Sequence, residues 1–138
     1  MRILGVDPGT RRIGVALSDP EGIVARGLAI LLHESLEGDA DRLVRLASQN
    51  GAGRVIVGLA TDSEGRPGPQ ANRALRLVAA LRARCRTPIE TWDESFSTEA
   101  AKQARLEGGE RRKRRRAPID ASAAAAMLQD YLDAHLPG

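Results

Sequence analysis

Apolar and polar positions along this 138-residue chain follow two periods, and the places where one gives way to the other outline the elements. Short unbroken apolar runs at 3–6, 13–17 and 55–57 suit strands covered on both faces. Between the first two lies Asp7-Pro8-Gly9-Thr10, with Pro and Gly where a type II turn prefers them, so the two runs read as a hairpin. A third strand is expected over 25–32. From Asp39 the spacing turns helical: Ala40, Leu43, Leu46 and Ala47 share a face, Asp39 is placed to cap the start and Gly51 to end it. A strand over 54–58 follows, then a polar loop over 61–68. A second helix carries Ala71, Ala74, Leu75, Val78 and Leu81 on one face and must stop before Pro88. A short strand spans 89–92. A helix over about 97–107 ends at Gly108-Gly109. The last helix follows Pro118, with Ala124, Met127, Leu128, Tyr131 and Leu132 on one face until Pro137. The order β-β-β-α-β-α-β-α-α implies an α/β domain that is antiparallel in its hairpin half and parallel where helices link the strands.

A chain of this length suits one domain, 1–138, with a single core. The lone Cys85 cannot form an internal bridge and fits a reducing compartment. No apolar run approaches the ~20 residues of a membrane-spanning helix, and the first residues lead straight into a strand without a signal-peptide pattern, so a cytoplasmic protein with no membrane partner is expected.

Charge is distributed unevenly. Residues 1–101 carry 13 basic and 13 acidic side chains, whereas 102–116 carry eight basic residues against Glu107 and Glu110. The run Arg111, Arg112, Lys113, Arg114, Arg115, Arg116 concentrates the excess, and 19 of the 21 basic residues are Arg, whose planar fork suits phosphate oxygens. A polyanionic partner is the natural expectation, the bland alternative being a solvated loop that only keeps the chain soluble.

Three carboxylates are candidates for chemistry. Asp7 ends a buried strand, and Pro8 restricts its backbone to the extended region, so the fold aims its side chain; it could equally accept turn hydrogen bonds from Gly9 or Thr10. Asp93-Glu94 ends the fifth strand, and only one of the pair can readily face the side of Asp7. Asp120 precedes the last helix, where capping is its ordinary role, with no Glu or Gln at 123 to complete a capping box. Carboxylates converging from two strand ends and a helix start would repel unless cations neutralised them, and hard oxygen ligands suit Mg²⁺ or Mn²⁺. Two such ions can activate water for phosphodiester cleavage. His33 and His135 stand in no metal-ligand spacing, and no G-x-S-x-G elbow, P-loop or G-x-G-x-x-G occurs.

The stretch from Gly5 through Arg11-Arg12 to Ala16, with Val57-Gly58-Leu59, Asp93-Glu94, Ser97-Thr98 and Ile119 to Ala124, resembles the bacterial YqgF/RuvX family of pre-16S rRNA nucleases related to Holliday junction resolvases. The resemblance spans essentially the whole chain. It implies a ribonuclease-H-like fold, a mixed five-stranded sheet with helices on both faces. It also implies a cytoplasmic, metal-dependent nuclease acting on RNA, with DNA as the other candidate, as a monomer or homodimer. The family's acidic site falls on Asp7, Glu94 and Asp120, with Mg²⁺ or Mn²⁺ as cofactor. Arg11, Arg12 and the run from Arg111 to Arg116 would meet the nucleic-acid backbone. Two departures stand out: Ser95 replaces the family's Arg after Asp-Glu, and Gly58-Leu59-Ala60 replaces Gly-Leu-Pro. The missing cation leaves room for a non-catalytic nucleic-acid-binding scaffold as a rival. A phosphate-loop nucleotide hydrolase is a third reading, disfavoured by the lack of a second domain.

Overall fold

A computed structural model describes residues 1–60, 68–93 and 121–135. Five strands, β1 (Arg2–Pro8), β2 (Arg12–Ser18), β3 (Ala25–Leu32), β4 (Ala52–Leu59) and β5 (Ile89–Asp93), form one sheet in the order β3-β2-β1-β4-β5. Helices α1 (Leu36–Gln49) and α2 (Pro69–Arg82) cover one face, and α3 (Ser122–His135) covers the other. Strand β2 runs antiparallel to β1 and β3, whereas β4 is parallel to β1 and β5, which is the mixed sheet expected. The helix expected over 97–107 lies outside the described residues. Among the described residues no helix is long and apolar enough to cross a membrane.

Alternation along β1 divides the core. Leu4 and Val6 join Ile13, Val15, Val55 and Val57 beneath Ala40, Leu43 and Ala47 of α1 and Ala74, Leu77, Val78 and Leu81 of α2. Ile3 shares the other face with Ala16 and Ile56, under Ala124, Met127, Leu128, Tyr131 and Leu132 of α3. Because β1 and β4 are buried on both sides, their sequences are continuously apolar rather than alternating. Helix α3 rides close to the sheet, since a Cβ on Gly5 would lie 2.9 Å from Leu128 Cβ. Trp92 and Tyr131 pack here edge-on, with ring centroids 5.4 Å apart, as core residues rather than open stacking platforms.

Two local expectations are corrected. The β1–β2 connection is not a type II turn centred on Pro8-Gly9. Pro8 stays in the ladder opposite Ile13, Gly9 N–H donates to Arg12 O at 2.9 Å, and Thr10 and Arg11 form the tip. Among the described glycines only Gly22 and Gly51 have positive φ, so Gly9 lacks the backbone a type II turn requires. Helix α1 begins at Leu36, not at Asp39. Ser35 is its N-cap and accepts the Gly38 N–H at 3.0 Å, which frees Asp39 for a different role inside the first turn.

Candidate active site

Asp7 is the penultimate residue of β1, the central strand, and lies opposite Gly14 of β2. Its side chain leaves on the α3 face: a Cβ on Gly14 would lie 3.8 Å from Asp7 Cβ and 3.3 Å from Ala124 Cβ, in the first turn of α3. The chain enters that helix through Ala121, which is buried, and a Cβ on Gly27 would lie 2.9 Å from Ala121 Cβ. Glycines at 14 and 27, facing alanines at 121 and 124, thus seat the start of α3 beside the Asp7 carboxylate. Ala121 directly follows Asp120 in the chain.

Register fixes the neighbouring parallel strands. Val6 pairs with Val57, and Val57 with Thr91, so Trp92 of β5 is level with Asp7. Ile89 belongs to the core under α1 and α2, while Trp92 packs on the α3 side and its Nε1 donates to Asp130 Oδ2 at 3.3 Å. Alternation therefore sends Asp93 to the face opposite Asp7. Glu94 and Asp120 lie outside the described residues, as do Arg111, Arg112, Lys113, Arg114, Arg115 and Arg116. Among the described residues no three metal-ligating side chains come together. Arg11 and Arg12 are exposed at the turn that follows Asp7.

A polar cluster that periodicity did not expose lies on the other side of this turn. Asp39 is 3% exposed. Its Oδ2 pairs with His33 Nδ1, and its Oδ1 accepts the Glu34 N–H at 3.0 Å and Arg42 Nη2 at 2.7 Å. Arg42 Nη2 also reaches Leu32 O at 2.6 Å, and His33 N–H donates to Arg11 O at 2.8 Å. The end of β3, the first turn of α1 and the β1–β2 tip are tied together in this way. The sequence signal was only partial: Ser35 caps as well as Asp39 does, and a helix started there leaves Asp39 to pair with Arg42 at i+3.

Burial pushes the Asp39 carboxyl up, but the Glu34 amide, His33 and Arg42 more than offset it and hold it below its usual value of 3.8. A depressed carboxylate contributes stability above its unfolded pKa and loses it as pH falls through the folded one. Asp39→Ala is accordingly expected to cost about 1–3 kcal/mol at neutral pH, the range for stranding buried donors. In urea titrations that gap narrows as pH falls from about 5 to about 3. A gap of constant size across that range would show that the carboxylate's charge contributes nothing.

The architecture has known counterparts. Thermus thermophilus RuvC, solved with a Holliday junction substrate, superposes with a TM-score of 0.64 at 17% identity, covering 97% of this chain and 94% of that one. Fowlpox virus resolvase, solved with Holliday junction DNA, gives 0.59 at 12% identity over 99% of this chain and all of its own. At such identities the likeness establishes the fold, which is ribonuclease-H-like.

Sequence comparison narrows the class. The family profile described as "RuvX: Holliday junction resolvase" matches residues 1–134. Proteins named "Putative pre-16S rRNA nuclease" align along nearly their whole length. The one from Symbiobacterium thermophilum is 43% identical, covering 97% of this chain and 93% of its own. That from Desulforamulus reducens is 39% identical, covering 96% and 97%, and that from Myxococcus xanthus 39%, covering 99% and 91%. This chain belongs to the RuvX family.

Proposed function

We propose that this protein is a metal-dependent nuclease that hydrolyses phosphodiester bonds, acting in the cytoplasm on the 5′ end of pre-16S rRNA during ribosome biogenesis. The observation that carries the reading is the placement of Asp7. Its carboxylate lies next to the end of the central strand, on the face where α3 begins two residues after Asp120, in a member of a family described as resolvases.

In this reading Asp7, Glu94 and Asp120 hold Mg²⁺ or Mn²⁺. Among the described residues, the positions that face Asp7 most closely on this side of the sheet are Gly14 and Ala124, small residues that leave room for a hydrated cation beside the carboxylate. The donors are hard oxygens, which such ions prefer. Glu94 is chosen over Asp93 because alternation turns Asp93 away. When bound, a pair of these ions lowers the pKa of attacking water and stabilises charge on the leaving oxygen.

The protein's own residues orient and neutralise. Asp7 would serve both ions, and its backbone is held rigidly because β1 is paired on both sides. Arg11, Arg12 and the run from Arg111 to Arg116 receive the backbone phosphates, contacts that position without reading sequence. Neither histidine is placed as a general base for Asp7. His33 is engaged by Asp39 beside α1, and His135, at the far end of α3, stacks on Tyr131 with centroids 4.1 Å apart.

Incubation with end-labelled single-stranded RNA, a ribosomal precursor fragment and branched DNA, in Mg²⁺, Mn²⁺ or chelator, tests this reading. Cleavage that needs metal and stops in chelator is expected, and the relative rates assign RNA or DNA. Tight binding with no cleavage in either metal would favour the scaffold.

A further inference from the structure

Helix α2 carries a charge pattern that the catalytic reading does not use. Its sequence, Pro69–Arg82, contains Arg73, Arg76 and Arg82 and no acidic residue, whereas α1 contains Glu37, Asp39 and Asp41. Arg82 is engaged with Ile89 O at 2.7 Å, and Arg84, just beyond the helix, is paired with Asp41 at 2.7 Å. Arg73 and Arg76 have no acidic partner among the described residues.

Arg73 also touches the turn that carries Asp7. It lines a cavity of about 20 Å³ with Pro8, Gly9, His33, Asp39 and Leu77. Its Nη1 is buried and has no hydrogen-bond partner among the described residues. The Asp39 oxygens bond instead to His33, Glu34 and Arg42. The space holds about one water. The half-buried guanidinium therefore lies beside the turn with one nitrogen unpaired, while Arg76, one turn along the helix, is exposed. Cations kept in place without a carboxylate are a surface prepared for an anion.

We infer that Arg73 and Arg76, continuous with Arg11 and Arg12, form a phosphate-contact surface on the α2 side of the β1–β2 turn, taking the nucleic-acid backbone that flanks the bond cut at Asp7. The role as a flank rests on the nuclease reading; the binding itself does not. A strand crossing the carboxyl edge of the sheet leaves the acidic α3 side and runs along α2, where no carboxylate of the helix opposes it. Such contacts are independent of sequence and strongly dependent on salt.

The double variant Arg73→Gln/Arg76→Gln is compared with wild type by fluorescence anisotropy of a labelled single-stranded RNA in chelator, across a salt series. Binding is expected to weaken by about fivefold or more at low salt, and the log–log salt slope to fall by about 1.4, the loss of two single-strand contacts. Arg86→Gln removes an exposed charge at the opposite edge of the sheet and is expected to leave both quantities unchanged. Thermal melting confirms that each variant is folded; should the double variant melt early, Arg76→Gln alone is read, with half the slope change. An unchanged slope, or an equal effect from Arg86→Gln, overturns the surface. Because these measurements need no turnover, a wild type that fails to cleave would sink the nuclease reading and leave this result intact.

Discussion

Asp7→Asn lowers the rate of phosphodiester cleavage by about a thousandfold or more, while RNA binding in chelator and the melting temperature stay near wild type. The size of the effect follows from the proposed role: were Asp7 to hold both cations, its loss would remove the stabilisation that the ions would give to the attacking and the leaving oxygen alike. Stability is spared because Asp7 ends its strand and the amide is nearly isosteric. With Glu94 and Asp120 beside Asp7 as proposed, the neutral amide would also relieve repulsion, so a small rise in melting temperature is the expected direction. Single-turnover cleavage and thermal melting of the same preparation check both halves. A variant cleaving at the wild-type rate would contradict the assignment of Asp7.

Gly27→Ala is expected to cost about a hundredfold in activity through geometry alone. A Cβ on Gly27 would sit 2.9 Å from Ala121 Cβ, whereas carbon atoms prefer about 3.5–4.0 Å. Neither methyl can rotate away, so β3 or the start of α3 must move by several tenths of an ångström, displacing the segment that follows Asp120. Misplacement approaching 1 Å at a reacting site costs about a hundredfold, against about 1–3 kcal/mol of stability for overpacking. Leu43→Ala separates the two effects. Leu43 is 1% exposed on the opposite face, so its loss costs about 2–5 kcal/mol and leaves the rate per folded molecule unchanged. Activity in Gly27→Ala that falls only with the folded fraction would show that the seat of α3 does not position the site.

The inner strands were legible because double burial leaves a mark: Ile3 to Val6 and Val55 to Val57 are apolar without a break, and each run is too short for a helix. Parallel and antiparallel halves followed from whether a helix or a tight turn joined neighbours. Local chemistry was less legible. Pro8-Gly9 fits a type II turn and a strand end equally well, and the choice was made by Pro8 pairing with Ile13, a contact that local sequence does not encode. Asp39 looked like a cap because caps and buried ion-pair residues use the same side chain. Ser35 settles the matter only once the helix start is known.

At the site, Asp7 stood out because a buried strand and a following proline aim its side chain, although a turn-capping role was equally open. The choice between Asp93 and Glu94 needed a phase for β5. Trp92 could have packed on either face, and its contacts with Tyr131 and Asp130 set that phase. Arg73 was invisible for a different reason: nothing along the chain shows that α2, far downstream, passes beside the β1–β2 turn.

The central claim, that Asp7, Glu94 and Asp120 share divalent cations, is tested most directly by calorimetric titration of Mn²⁺ into the full chain and into Asp7→Asn, Glu94→Gln and Asp120→Asn. The account predicts saturable binding by wild type and an affinity at least about tenfold weaker in each variant, with all three still folded. Wild-type affinity retained in any one of them would contradict the shared site.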